Sequence, residues 1–249
     1  MDASWALGTL FLSLRIGPLF VLAPPFSQIL IPMRVRLCLV LALSATLQFA
    51  GPGRVAVEGN GALLVSAASE LFLGLMLAYA FQMAFAALAF AGRVLDVQAG
   101  YGLAMIIDPG SSNQAPMFGS ILTLVGGVVF FTVNGHLELL RLLASLLHVL
   151  PLGQPIMIGG PGPLIGYMGL VMGMALGSVA ATMVTLFLID LTIAYLSRAL
   201  PQMNALMLGL QVKTIATLIV VALTTGLVGA VILRLIRTAL DFVPSLDSP

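Results

Sequence analysis

Apolar residues run along this chain in stretches long enough to cross a bilayer, and a few proline- and glycine-rich segments break them. A spanning helix needs about 20 such residues. The first stretch, Ala3 to Ala23, stops at Pro24-Pro25, because proline cannot continue a helix interior. The second runs from Met33 to Phe49 and gives way to "GPGRVAVEGNG", a turn-and-loop composition. The third begins at Ala62, stays apolar to Ala91, and continues in helical pattern through Arg93, Asp96 and Gln98 to Gly102. Met117 to Val133 and Leu137 to Leu150 are shorter and nearly adjacent, which predicts a tight hairpin at "NGHL". A second Gly/Pro loop, "PLGQPIMIGGPGP", follows. Leu164 to Leu200 and Ala205 to Thr238 close the chain as a helical hairpin about Pro201, Gln202, Met203 and Asn204. The pattern predicts an all-α integral membrane protein of six to eight helices, with no soluble domain.

One segment departs from that pattern. "AMIIDPGSSNQAPMFGS", Ala104 to Ser120, places an acid, two prolines, two glycines, an Asn, a Gln and three serines between apolar helices. Pro109 and Pro116 oppose helix, Gly110 opens turns closed to other residues, and Asp108, preceding a proline, is biased away from helix. Lipid cannot satisfy irregular backbone, so such a segment at membrane depth must lie within protein or face water. Asp108 is expected to cap the loop or to meet a cationic neighbour.

Composition supports the membrane reading. Of 249 residues, 60% are hydrophobic and 8% charged, with a mean hydropathy of +1.15; soluble domains are about one quarter charged. A net charge of +1 from scattered cations cannot neutralise a run of phosphates, which argues against nucleic acid as a partner. The single Cys38 excludes a disulfide framework and reads as a small apolar filler. The first residues lack a basic leader and a small-residue cleavage site, so they read as a retained first helix. Arg34 and Arg36 after the first helix, with Arg234 and Arg237 at the end of the last, fit the cytoplasmic side if the N-terminus is outside and the crossings are odd in number.

Charges at membrane depth are costly and need partners. Arg93 with Asp96, and Glu138 with Arg141, stand at i,i+3 and are expected to pair on one helix face. Glu70 has no such neighbour and must find a partner on another helix or in water. In the closing hairpin Asp190 and Lys213 lie at nearly equal distances from the turn, so an ion pair shielded from lipid is expected between them. Arg198 is close enough to the turn to snorkel to a polar boundary.

Candidate chemistry is sparse. His136 and His148 form no HExxH and have no companion thiolate, and neither a phosphate loop nor a G-x-S-x-G elbow occurs. No enzyme, metal or cofactor is predicted, and His136 is expected to cap backbone groups at its turn. Two non-enzymatic classes remain. A proton-coupled secondary transporter could relay protons through Glu70, Asp96, Asp108 and Asp190. A structural subunit would pack its long helices on partners, using small residues such as Gly169, Gly173 and Gly177 and adaptable methionines.

Four segments, in order along the chain, resemble the FliR/SctT family of type III secretion export-gate subunits. They are "PPFSQILIPMRVRLCLVLALS" (Pro24 to Ser44), "AGRVLDVQAGYGLAMIIDPGSSNQAP" (Ala91 to Pro116), "FFTVNGHLELLRLLASLLHVLPLG" (Phe130 to Gly153) and "SRALPQMNALMLGLQVKTIATLIVVALTTGL" (Ser197 to Leu227). The resemblance implies a subunit of the flagellar export gate, in the bacterial inner membrane at the basal body. It implies FliP-like and FliQ-like partners, an FlhB-like subunit around them, and unfolded flagellar subunits as cargo in transit. It further implies a FliP-like part over 1–163 and a FliQ-like hairpin over 164–249, with many helices raised from the bilayer plane onto partner helices. The family's channel plug corresponds to Met105, Ile106, Ile107, Asp108, Pro109, Gly110, Ser111, Ser112, Asn113, Gln114, Ala115, Pro116, Met117 and Phe118. A SctT-type subunit of a virulence injectisome is the alternative within the family.

Overall fold

A computed structural model describes residues 3–50, 60–101, 116–154, 160–199, 202 and 205–245. Among these residues the regular secondary structure is all helical, with no strand. The helices are α1 (Ala3–Leu22), α2 (Met33–Ala50), α3 (Asn60–Ala99), α4 (Met117–Thr132), α5 (Gly135–Val149), α6 (Gly162–Ala199) and α7 (Ala205–Ser245). A short 3-10 turn, Phe26–Gln28, follows α1. Four helices, α1, α3, α6 and α7, are each long and apolar enough to cross a membrane. The protein is a multi-pass membrane protein. The predicted tight hairpin at the Asn-Gly-His turn is instead a bent pair, α4 with α5, whose combined length and hydropathy fit a broken span or a re-entrant loop. Asn134 carries the break with a φ of 58°, a left-handed conformation that asparagine tolerates better than most side chains.

The chain divides into two compact units, each assembled from discontinuous segments. One comprises 1–84, 130–168 and 236–249; the other comprises 85–129 and 169–235.

The core of the first unit is organised around an ion pair that the sequence leaves unassigned. Arg15 Nε donates to Glu70 Oε2 at 2.6 Å, and both side chains are 1% exposed. Both terminal nitrogens of Arg15 donate to the Leu150 carbonyl at 3.2 Å. Glu70 Oε1 accepts the Gly153 N–H at 2.9 Å. Ser66 and Ser69 then donate to the carbonyls of Gly153 and Gln154. One acid and one base from two apolar helices thus satisfy each other and hold the loop that leaves α5. Two buried charges are tolerable only with this degree of hydrogen bonding.

The approach of α1 to α3 at this point depends on Pro18 and Gly74. Pro18 lies inside α1 and has no N–H to offer the Leu14 carbonyl one turn earlier. A Cβ at Gly74 would run into the Leu14 and Arg15 carbonyl oxygens, so the glycine lets the helices meet at backbone distance. Elsewhere in the same unit Tyr167 donates to the Ala80 carbonyl and Tyr79 to the Leu164 carbonyl, at 2.7 and 3.1 Å. Their rings pack with Phe242.

Helix α2 is patterned in reverse. Its buried stripe is Val40, Ser44 and Gln48, while Val35, Leu37, Leu39, Leu41 and Phe49 are exposed. Gln48 packs at Gly8 of α1. Cys38 also stands on the exposed face, where the sequence suggested a core filler.

Candidate functional site

The irregular segment remains the natural candidate, and the structure describes the two helix ends that bound it. Residues Met105 to Ala115 lie outside the described residues. Pro116 directly precedes α4, and Met117 and Phe118 are that helix's first two residues, so the break ends earlier than composition suggested.

Three contacts in the second unit tie the end of α3 to the start of α4. The Asp96 carboxylate accepts the Phe118 N–H at 3.0 Å and the Gly119 N–H at 3.3 Å, one on each oxygen. These amides belong to the first helical turn and have no acceptor within their own helix; the first helical bond is Ser120 N–H to Pro116 carbonyl, at 3.0 Å. A carboxylate there also meets the positive end of the helix dipole. Asp96 is 5% exposed, so water competes little for it. The second contact is steric: a Cβ at Gly92 would overlap the backbone of Phe118 and Gly119. The third is aromatic, with the Tyr101 and Phe118 rings 5.9 Å apart.

Asp96 was expected to pair with Arg93. Among the described residues no ion pair joins them, and Arg93 is exposed. Two fixed backbone donors, each otherwise unsatisfied, outcompete a flexible cation that can remain at the surface. Gly92→Ala is expected to force the helices apart and to cost about 1–3 kcal/mol, the usual penalty of overfilling a packed contact. A thermal melt of the detergent-solubilised protein checks this, and a wild-type midpoint would refute the close approach.

The remaining charged residues are placed as follows. Lys213 Nζ and Asp190 Oδ1 form the expected ion pair in the closing hairpin, but this chain does not provide the expected shielding, since the Asp190 side chain is 50% exposed. Glu138 and Arg141 pair at 2.5 Å on an open face. In the turn of the closing hairpin, Gln202 is exposed; Pro201, Met203 and Asn204 lie outside the described residues, as does Asp108. Each described acid of the supposed proton relay therefore holds a fixed partner. Glu70 belongs to one compact unit and Asp96 and Asp190 to the other. His136 does not act as the expected cap through Nδ1, which is buried without a hydrogen bond; its ring packs 5.6 Å from that of Phe131. Among the described residues no group of His, Cys, Asp and Glu could hold a metal ion.

Comparison with known proteins adds the relationships. The chain matches the bacterial export proteins, family 1, over residues 6–239. It is 29% identical to flagellar biosynthetic protein FliR of Escherichia coli (strain K12) over 203 residues, covering 79% of this chain and 76% of the relative. Against FliR of Aquifex aeolicus (strain VF5) the identity is 29% over 223 residues, covering 88% and 86%. Yop proteins translocation protein T of Yersinia pestis is 26% identical over 217 residues, covering 83% and 82%.

Proposed function

The chain belongs to the bacterial export proteins, family 1, and from that premise we propose that it is a structural and gating subunit of the flagellar type III protein export apparatus. It forms, with FliP-like and FliQ-like subunits in the inner membrane, the channel for unfolded flagellar subunits, and an FlhB-like subunit joins the assembly. The match over nearly the whole chain carries this reading, since it takes in the interrupted α3–α4 region and most of the closing hairpin. In this reading 1–163 is the FliP-like part and 164–249 the FliQ-like hairpin.

Helix length supports a life among partner helices. At about 1.5 Å per residue, the 40 residues of α3 and the 41 of α7 extend roughly 60 Å, twice the about 30 Å hydrocarbon core. The half-exposed Asp190 points the same way. It stands among exposed Phe187, Leu188 and Leu191, where a carboxylate facing lipid would be costly and a polar group on a partner helix would relieve it.

The segment from Met105 to Phe118 is the gate in this reading, with Met117 and Phe118 as its attachment to α4 and the residues before Pro116 as its plug. Its polar, helix-breaking residues suit a plug lying in protein or water at the channel and moving when cargo enters.

Co-purification tests the assignment. Tagged protein is expected to carry FliP- and FliQ-like subunits out of the membrane in stoichiometric amounts, and deletion of its gene is expected to abolish swimming. A stable lone protein with saturable small-solute uptake would point to a transporter. The injectisome reading has its own support in protein T of Yersinia pestis and SpaR of Shigella flexneri, which align with 83% of this chain. Intact motility with lost secretion of effector proteins would favour it.

A further inference from the structure

Helix α5 turns a polar side outward. Glu138, Arg141, Ser145 and His148 are exposed, and their spacing of three and four residues places them on one side of the helix. The opposite side is apolar and buried, with Leu139, Leu143, Leu146 and Leu147. Leu137 and Val149, one near each end, are the exposed apolar positions. We infer that this polar stripe is the wall of a water-filled passage, open to an extended polypeptide in transit. The inference rests on the export function proposed above.

The chemistry of the stripe disfavours every other covering. The Arg141 and Glu138 side chains are 73% and 52% exposed; facing hydrocarbon, they would lose hydration at a cost that one contact between them does not offset. A helix lying on the membrane surface sinks its apolar side into lipid, whereas the leucines of α5 are already buried in the protein. A partner helix packed on the stripe would bury the same ion pair and would owe new hydrogen bonds to Ser145 and His148. Water satisfies all four side chains. Helix α2, in the same compact unit, shows what a lipid-facing side looks like here: Leu37, Leu39 and Leu41 point outward.

The stripe is also held in place. At its start, Gly135 packs directly on Phe130. At its end, Arg15 holds the Leu150 carbonyl and Glu70 holds the Gly153 N–H. The polar surface runs on past the helix, where Ser69 donates to the carbonyl of exposed Gln154. Glu138 and Arg141 neutralise each other, so the wall exerts little net field that would detain acidic or basic stretches of a passing chain.

Single cysteines in the assembled complex test this, in a Cys38→Ser background that removes the native thiol. A membrane-impermeant maleimide is expected to label Ser145→Cys and His148→Cys at least about tenfold faster than Leu41→Cys on α2 or Leu143→Cys inside, because the reactive thiolate is suppressed in apolar surroundings. A photo-crosslinking amino acid in place of Ser145 is expected to capture a flagellar subunit halted in transit by a folded domain fused to it. Where a change at Ser145 prevents assembly, the same pair of measurements is made at His148.

Protection of both thiols in the complex would overturn the inference, since lipid or a partner would then cover the stripe. Labelling without capture, in complexes that still export, would overturn the passage and leave the export reading standing. If no FliP- or FliQ-like subunit accompanies the protein, the export reading fails and takes this inference with it.

Discussion

Arg15→Ala is expected to cost about 3–5 kcal/mol of stability, the penalty for leaving one member of a buried ion pair without the other. The loss reaches three places at once. Glu70 Oε2 would keep its charge with no cation beside it, at 1% exposure. The Leu150 carbonyl would lose both guanidinium donors. The acid would keep only the Gly153 N–H on its other oxygen, so the loop after α5 would hang from half of its present bonds. Glu70→Gln should be milder, since it keeps acceptor capacity for Gly153 and leaves the mobile-stemmed Arg15 as the uncompensated group. Replacing both, with Arg15→Met and Glu70→Leu, should recover part of the loss by removing buried charge altogether, although Leu150 and Gly153 would still lack partners. Thermal melts in detergent and the yield of assembled complex give the ranking. A wild-type midpoint for Arg15→Ala would show that the pair contributes nothing net.

Deleting Gly110 to Ala115 should have the other large effect, on permeability and not on stability. The eight residues left between Tyr101 and Pro116 reach roughly 26 Å at about 3.3 Å each. The Tyr101 and Phe118 rings are only 5.9 Å apart, so the shortened connection spans its ends without strain. The deletion leaves untouched the bonds from Phe118 and Gly119 N–H to Asp96. Under the proposed function, complexes of normal composition should then admit small solutes several-fold faster than wild type, read as dye entry or ion conductance. An assembled deletion complex as tight as wild type would remove the plug from the proposal.

The helix limits were the most legible part of the fold. Ala3 and Met33 open helices where the apolar stretches begin, and Met117 does so directly after Pro116. Proline and glycine act on the backbone locally, so their effect can be read from the residues beside them. The Asp190–Lys213 pair was legible for a related reason: a hairpin turn fixes which positions face each other, whatever surrounds them. Arg15 and Glu70 offered no such ruler. They are 55 residues apart, and only the crossing of α1 over α3 at Gly74 brings them together. The partner of Asp96 is not legible locally: its nearest cation in sequence is Arg93, whereas the donors it accepts belong to a helix on the far side of the polar segment. The composition of that segment marked it as exceptional, and Asp96 is where the described residues of the site depend on tertiary contact. The bend at Asn134 is not legible in the sequence because an Asn-Gly turn is equally compatible with a hairpin and with an elbow.

The reversed pattern of α2 has a consequence for how substitutions in this protein should be judged. Ser44 and Gln48 turn inward and leucines turn outward, so the interior of that helix is no oilier than its surroundings. In lipid, withdrawing a methyl group from the surroundings gains nothing from water, and helices associate through close fit and hydrogen bonds. Volume and donor–acceptor matching, and not hydrophobicity, therefore set the tolerance of the inner face. Ser44→Leu, which would be unremarkable as a gain of apolar character in a water-soluble core, becomes here a collision with α1, while Leu39→Phe on the outer face is only a change of solvent contact.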